Sequence, residues 1–185
     1  MLNHLRLPRW VALLLLLGLA APAALAQSDV QATEARIKAV FLFKFADYVE
    51  WPATAFATAA TPFTVGVVES EPVAEELARV VEGRAVQGRP VVVRRLRTGE
   101  PVDGVQLLFV GRDGRGELRR ILEQLRGRPV LRVTESEGAL QAGSMINFVL
   151  VAGKVRFDIV PPDDAGGLRI SSRLLAVARD VQERS

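Results

Sequence analysis

From Phe63 onward, short apolar runs rich in β-branched residues alternate with stretches of helical periodicity. That alternation restricts the chain to folds in which helices cover a largely parallel sheet. Phe63-Thr64-Val65-Gly66-Val67-Val68-Glu69 has the unbroken apolar character of a strand covered on both faces. Ser70, with Pro72 just inside, starts a helix whose stripe is Val73, Leu77, Val80 and Val81, and Gly83 ends it. Arg89 to Leu96 returns to β-branched residues, which completes a βαβ unit and requires a parallel pair with a right-handed crossover. Val105 to Val110 reads as the next strand. Only Arg97 to Gly104 lies between, so the link is a single turn, or else the two strands are not parallel.

Gly116 opens a second amphipathic helix, with Leu118, Ile121, Leu122 and Leu125 inward, and Gly127 closes it before a fourth strand over Pro129 to Thr134. Ile146 to Val151, the turn Ala152-Gly153-Lys154 and Val155 to Val160 form a β-hairpin whose second strand alternates like an edge strand. Pro161 to Gly167 is a loop. Ser171 and Ser172 precede a last helix with Leu174, Leu175, Ala178 and Val181 inward. The predicted fold is a three-layer α/β single domain over residues 27–185, mostly parallel with a C-terminal antiparallel hairpin and flanked by helices.

Residues 1–26 have the grammar of an export signal: Arg6 and Arg9, the apolar run Val11 to Leu17, and a small-residue finish at Ala24-Leu25-Ala26. The chain is expected to be exported, with cleavage after Ala26. A retained anchor is the alternative, and the run is short for a span. The leader holds two of the 24 Lys and Arg and none of the 21 Asp and Glu, so 22 basic and 21 acidic residues remain, a net +1. That near neutrality gives no reason to expect nucleic acid as a partner.

Cysteine is absent and the one histidine, His4, belongs to the leader. A chain of residues 27–185 has no His-based triad, Cys–His couple or thiolate zinc site. What remains for an enzyme is carboxylate, Lys, Ser or Tyr chemistry, and no catalytic residue, cofactor or metal site is assigned.

The segment Lys38 to Pro52 gathers three of the eight Phe, one of the two Trp and the only Tyr. Thr33 is the expected helix cap, after a frayed Gln27 to Gln31, and Pro52 stops the helix near Glu50 or Trp51. Ile37, Phe41, Phe45, Tyr48 and Val49, with Leu42 at the edge, fall on one helical face as core. Val40, Phe43 and Trp51 fall opposite, among Asp47 and Glu50. The plainer reading is that Phe43 and Trp51 lie under a later loop. The sharper one is that Val40, Phe43, Asp47, Glu50 and Trp51 form a surface for another protein.

Other constellations are weaker. Gly111-Arg112-Asp113-Gly114-Arg115-Gly116 joins a strand to a helix but matches no phosphate-binding pattern, and its glycines read as turn formers. Asp163-Asp164 lacks the further oxygen ligands that calcium needs. Ser171 or Ser172 caps the last helix, with Arg169 and Arg173 in surface pairs. The alternative is a small-ligand pocket at the carboxyl ends of the strands, drawing on Glu69, Arg112, Arg169, Ser171, Ser172 and Arg173.

Lys38 to Phe45 with Val49-Glu50-Trp51-Pro52, then Phe63 to Val68, Gly88 to Val91, Gly143 to Phe148 and Leu168 to Leu175, in that order, resemble the YfiR-like family of periplasmic proteins. The resemblance implies an α/β domain in the periplasm of a Gram-negative bacterium, without known enzymatic activity. It further implies a protein that holds down the periplasmic sensor part of a membrane-bound diguanylate cyclase, with an outer-membrane lipoprotein as the partner that releases it. Low cyclase activity means low cyclic di-GMP and less biofilm. A homodimer is left open. Well-known members carry disulfide-forming cysteines, and this chain has none, so redox control does not carry over.

Overall fold

The computed structural model describes residues 21–161 and 166–182, with side chains from Asp29 onward. Residues 1–20 of the expected leader and the Asp163-Asp164 pair lie outside the described residues. The chain divides into two compact units, residues 1–34 and 35–185. In the first, the described backbone is helical, and Thr33 donates its hydroxyl to the Asp29 carbonyl at 2.8 Å. Thr33 is therefore a mid-helix residue bonding one turn back rather than a cap, and no fray occurs at Gln27 to Gln31. Among the described residues, no helix is long and apolar enough to cross a membrane.

Helix α1 (Ala21–Tyr48) feeds the second unit, where Ala35, Ala39, Leu42, Phe45 and Ala46 are buried at three- and four-residue spacing. It ends one turn before Pro52, because Val49–Glu50 forms a short strand, β1. β2 (Phe63–Val68) is buried at every position, as its continuous apolar run requires. α2 (Glu71–Val81) follows, with Pro72 in its first turn, and Gly83 at φ 66° takes the left-handed position just past its end. β3 (Ala85–Val86) pairs with the start of β4 (Arg89–Leu96).

β2 and β4 run parallel in register from Phe63↔Val91 to Val68↔Leu96. β5 (Leu107–Val110) pairs with the other side of β2, also parallel. The link over residues 97–106 therefore crosses the face of β2 without a helix, burying Val102 and Val105, and is held by Arg94, whose guanidinium donates to the carbonyls of Asp103 at 2.6 Å and Pro101 at 2.9 Å. A 3-10 turn, Arg112–Gly116, precedes α3 (Leu118–Gln124), and β6 (Leu131–Thr134) adds parallel to β5.

β7 (Ile146–Val151) pairs parallel with β6 at only two positions, then runs on as an antiparallel hairpin with β8 (Lys154–Ile159) over six. Beyond β8 come β9 (Arg169–Ile170), α4 (Ser172–Val177) and β10 (Asp180–Val181). β9 closes a separate two-stranded sheet with β1, and β10 lies parallel to β8, so β8 is not the sheet edge that its alternation suggested. Val181 correspondingly leaves the expected helical face and is exposed.

The eight-stranded order is β10-β8-β7-β6-β5-β2-β4-β3. Alternation sorts the side chains of the central strands between two cores. Val65, Val67, Leu107, Phe109, Leu131 and Val133 face α1 and α2, while Val68, Leu108 and Val110 face Ile121 and Leu122 of α3 and Leu125 just past its end. This is the three-layer α/β arrangement read from the pattern of runs.

Candidate functional site

The aromatic segment is fastened to the sheet. Trp51 donates its indole N–H to the Gln106 carbonyl at 3.1 Å, and its ring meets Phe63 edge-on at 4.8 Å. Gln106 is itself buried, accepting from the Thr64 N–H at 2.8 Å and donating to the Ala55 carbonyl at 2.8 Å. Phe43 packs in the same core, with the Arg84 guanidinium 5.1 Å from its ring centre. Both Phe43 and Trp51 are only 7% exposed. As side chains available to a partner, these two are corrected by their own burial. Ile37, placed inward by the helical wheel, is 39% exposed, and Val40 is 44% exposed. Asp47 and Glu50 are exposed as expected.

The buried helical face is rotated from the expected one, and a charged residue stands in it. Lys38 is buried and forms an ion pair with Glu135, just past β6. Glu135 also accepts the Arg112 backbone N–H at 3.2 Å, and the Arg112 guanidinium lies 3.5 Å from its other oxygen. One carboxylate thus connects α1 with the carboxyl ends of β5 and β6. Neither Lys38 nor Glu135 was singled out in the sequence. The available signal was a lysine inside a face of Ala35, Ala39 and Leu42.

A second polar cluster adjoins this one. Asn147 Oδ1 accepts from the Ser136 N–H at 3.1 Å and the Thr134 hydroxyl at 2.7 Å, and Thr134 also lies 2.9 Å from the Ser144 hydroxyl. Buried Arg132 donates to the carbonyls of Gly143 at 2.9 Å and Leu125 at 3.1 Å. Because β7 continues past the end of β6, the hairpin overhangs the sheet and leaves a cavity of about 340 Å³ lined by Arg112, Glu135, Ser136, Leu140, Asn147 and Phe148 among others. Asp158 lines it too, held in a bidentate pair by Arg179, whose hydrogen bonds to Asp158 keep the guanidinium pKa above its usual value.

The six residues of the expected small-ligand pocket do not come together. Glu69 and Arg112 lie past the carboxyl ends of β2 and β5. Arg169 and Ser171 belong to the β9 region, which pairs with β1 beside Trp51 and the amino ends of the same strands. Ser171 instead caps α4, accepting from the Arg173 N–H at 3.2 Å. The crevice where the strand order reverses, between β2 and β5, is closed: a Cβ on Gly111 would sit 2.6 Å from the Glu69 carbonyl. Glu69 turns away to accept the Thr98 N–H at 2.8 Å, and that bond, with the Thr98 hydroxyl, holds its carboxyl pKa below the ordinary value.

Among the described residues, no group of three or more His, Cys, Asp or Glu could hold a metal ion. No curated protein matches the chain. Residues 35–179, which span the fold from the buried part of α1 to Arg179, match the model of the YfiR/HmsC-like family, and the chain belongs to that family of periplasmic regulators of cyclic di-GMP signalling.

Proposed function

We propose that the protein acts in the periplasm as an inhibitor by contact, restraining a membrane-bound diguanylate cyclase through the cyclase's periplasmic sensor part and so lowering cyclic di-GMP. An outer-membrane lipoprotein that sequesters the protein is the releasing partner. No step of this requires a catalytic residue or cofactor. The absence of cysteine means that release is governed by binding rather than by thiol chemistry.

One observation supports a contact surface on α1. Ile37 and Val40 expose apolar side chains on a strip otherwise made of Arg36, Lys44 and Asp47, with Glu50 just beyond the helix. An apolar centre with a charged rim is the composition of a transient protein interface. Phe43 and Trp51 contribute from beneath, by fixing the helix to the sheet.

The test is complementation of a strain lacking this gene. Deletion is expected to raise cyclic di-GMP, the wild-type gene to restore it, and Ile37→Glu with Val40→Glu to fail while the purified variant melts like wild type. Unchanged cyclic di-GMP on deletion overturns the inhibitory role. Full restoration by the double variant overturns the surface.

A further inference from the structure

Past the end of β6 the sheet is interrupted in an unusual way. The Ser136 N–H, where a continuing β6 would bond to β7, is taken by the side chain of Asn147 at 3.1 Å. A backbone N–H is only ever a donor, so this bond identifies the Asn147 atom facing it as the carbonyl oxygen and fixes the amide orientation. The amide nitrogen is then directed elsewhere, and it donates to no acceptor among the described residues. Asn147 lines the cavity under the hairpin, as does Ser136, whose hydroxyl is buried without any hydrogen-bond partner. A buried hydroxyl lining a cavity without a partner calls for an explanation, since such groups are normally paired.

We infer that this cavity binds a small carboxylate with an apolar body. The Asn147 amide and the Arg112 guanidinium, half exposed and 3.5 Å from Glu135, are donor groups lining the cavity, and a carboxylate is purely an acceptor. Serine has three staggered χ1 positions, so an acceptor in the cavity draws the Ser136 hydroxyl toward it. Leu140 and Val149, the latter on the same face of β7 as Asn147, supply an apolar surface for the rest of the molecule. The acidic lining is compatible with an anion: Glu135 is held by Lys38 and Asp158 by Arg179, while Glu137 is exposed. About 340 Å³ accommodates a ligand of aromatic-acid size. This inference does not depend on the inhibitory role, because it concerns binding to the isolated chain.

The experiment is a titration of the chain of residues 27–185 with sodium benzoate at constant ionic strength, followed by ¹H–¹⁵N correlation spectra. Saturable shifts are expected at the Asn147 side-chain amide and the Ser136 backbone amide, with benzamide binding at least tenfold more weakly. Asn147→Asp keeps the acceptor for Ser136 and Thr134 but replaces the donor with an anion, and it is expected to abolish saturation. Ser136→Ala removes a hydroxyl that nothing pairs, so it folds, and it should weaken binding about fivefold. Shifts that never saturate, or that persist in Asn147→Asp, overturn the site. Equal binding of benzamide overturns the carboxylate assignment.

Discussion

Lys38 in α1 and Glu135 just past β6 form an ion pair that both side chains bury almost completely, joining elements 97 residues apart in the chain. Two desolvated charges stabilise little as a pair, but either one alone is costly. Lys38→Met is expected to destabilise the domain by about 3–5 kcal/mol. Glu135→Leu should cost more, since the Arg112 N–H also loses its acceptor. Combining the two replaces the pair with apolar groups and should recover the part of the loss due to the unpaired charge, leaving the cost of the Arg112 N–H. Urea unfolding of the single and double variants measures this, and additive losses would show that the two charges do not depend on each other.

Trp51 is the only tryptophan left once residues 1–26 are removed, so intrinsic emission reports it alone. Its burial against Phe63 and its bond to the Gln106 carbonyl predict a blue-shifted spectrum with poor access to iodide, shifting red on unfolding. Trp51→Phe loses the bond and part of the packing, a cost of about 2 kcal/mol. The Gln106 carbonyl keeps its bond from the Leu131 N–H at 2.8 Å, which limits the damage. Free quenching in the folded state would contradict the burial.

What the sequence made legible, and what it hid, follows from the range of the interactions. β2, α2 and the β7–β8 hairpin were readable because each carries its own periodicity and its own glycine or proline boundary. β1, β9 and β10 are two residues long, too short for any period, and exist only through partners supplied by the rest of the fold. The wheel alone left open whether Phe43 and Trp51 face a partner or lie covered, because Gln106 and Arg84, which meet them, come from other elements. The polar cluster was invisible for the same reason: Asn147 looks like a strand residue until Ser136 and Thr134 are brought against it.

The carboxyl ends of β2 and β5 approach so closely that a side chain cannot be inserted at Gly111. Its Cβ would meet the Glu69 carbonyl at 2.6 Å, a backbone atom that cannot move alone. At Gly66 the nearest atom is Leu108 Cδ1 at 2.8 Å, the end of a side chain with other rotamers. Gly111→Ala should therefore destabilise by more than Gly66→Ala, the latter by about 1–3 kcal/mol as an overpacked core. Thermal melts of both variants decide it, and the reverse ranking would mean that the strand ends are more loosely joined than this.

The β7–β8 turn is made by Ala152 at φ 48° and Gly153 at φ 72°, both in the left-handed region that a two-residue type I′ hairpin requires. Glycine adopts it without strain, whereas alanine does not. Ala152→Asn creates the preferred Asn-Gly pair and should stabilise the domain by about 0.5–1 kcal/mol, read as a raised melting temperature. A lowered one would show that the hairpin does not carry that turn.

Glu69 gives the fold an acid-sensitive tie. Its carboxylate accepts the Thr98 N–H and so anchors the helix-free link between β4 and β5, and its pKa lies below the ordinary 4.5 because that bond favours the charged form. A carboxyl depressed on folding stabilises the native state above its unfolded pKa, and the contribution disappears as pH falls through the folded value. Wild type and Glu69→Gln should therefore differ by a constant amount from neutral pH down to about 4.5, and converge at lower pH. Melting curves recorded from pH 7 to pH 3 provide the comparison. Traces that stay parallel to the acid end would mean that Thr98 is held by something other than the charge on Glu69.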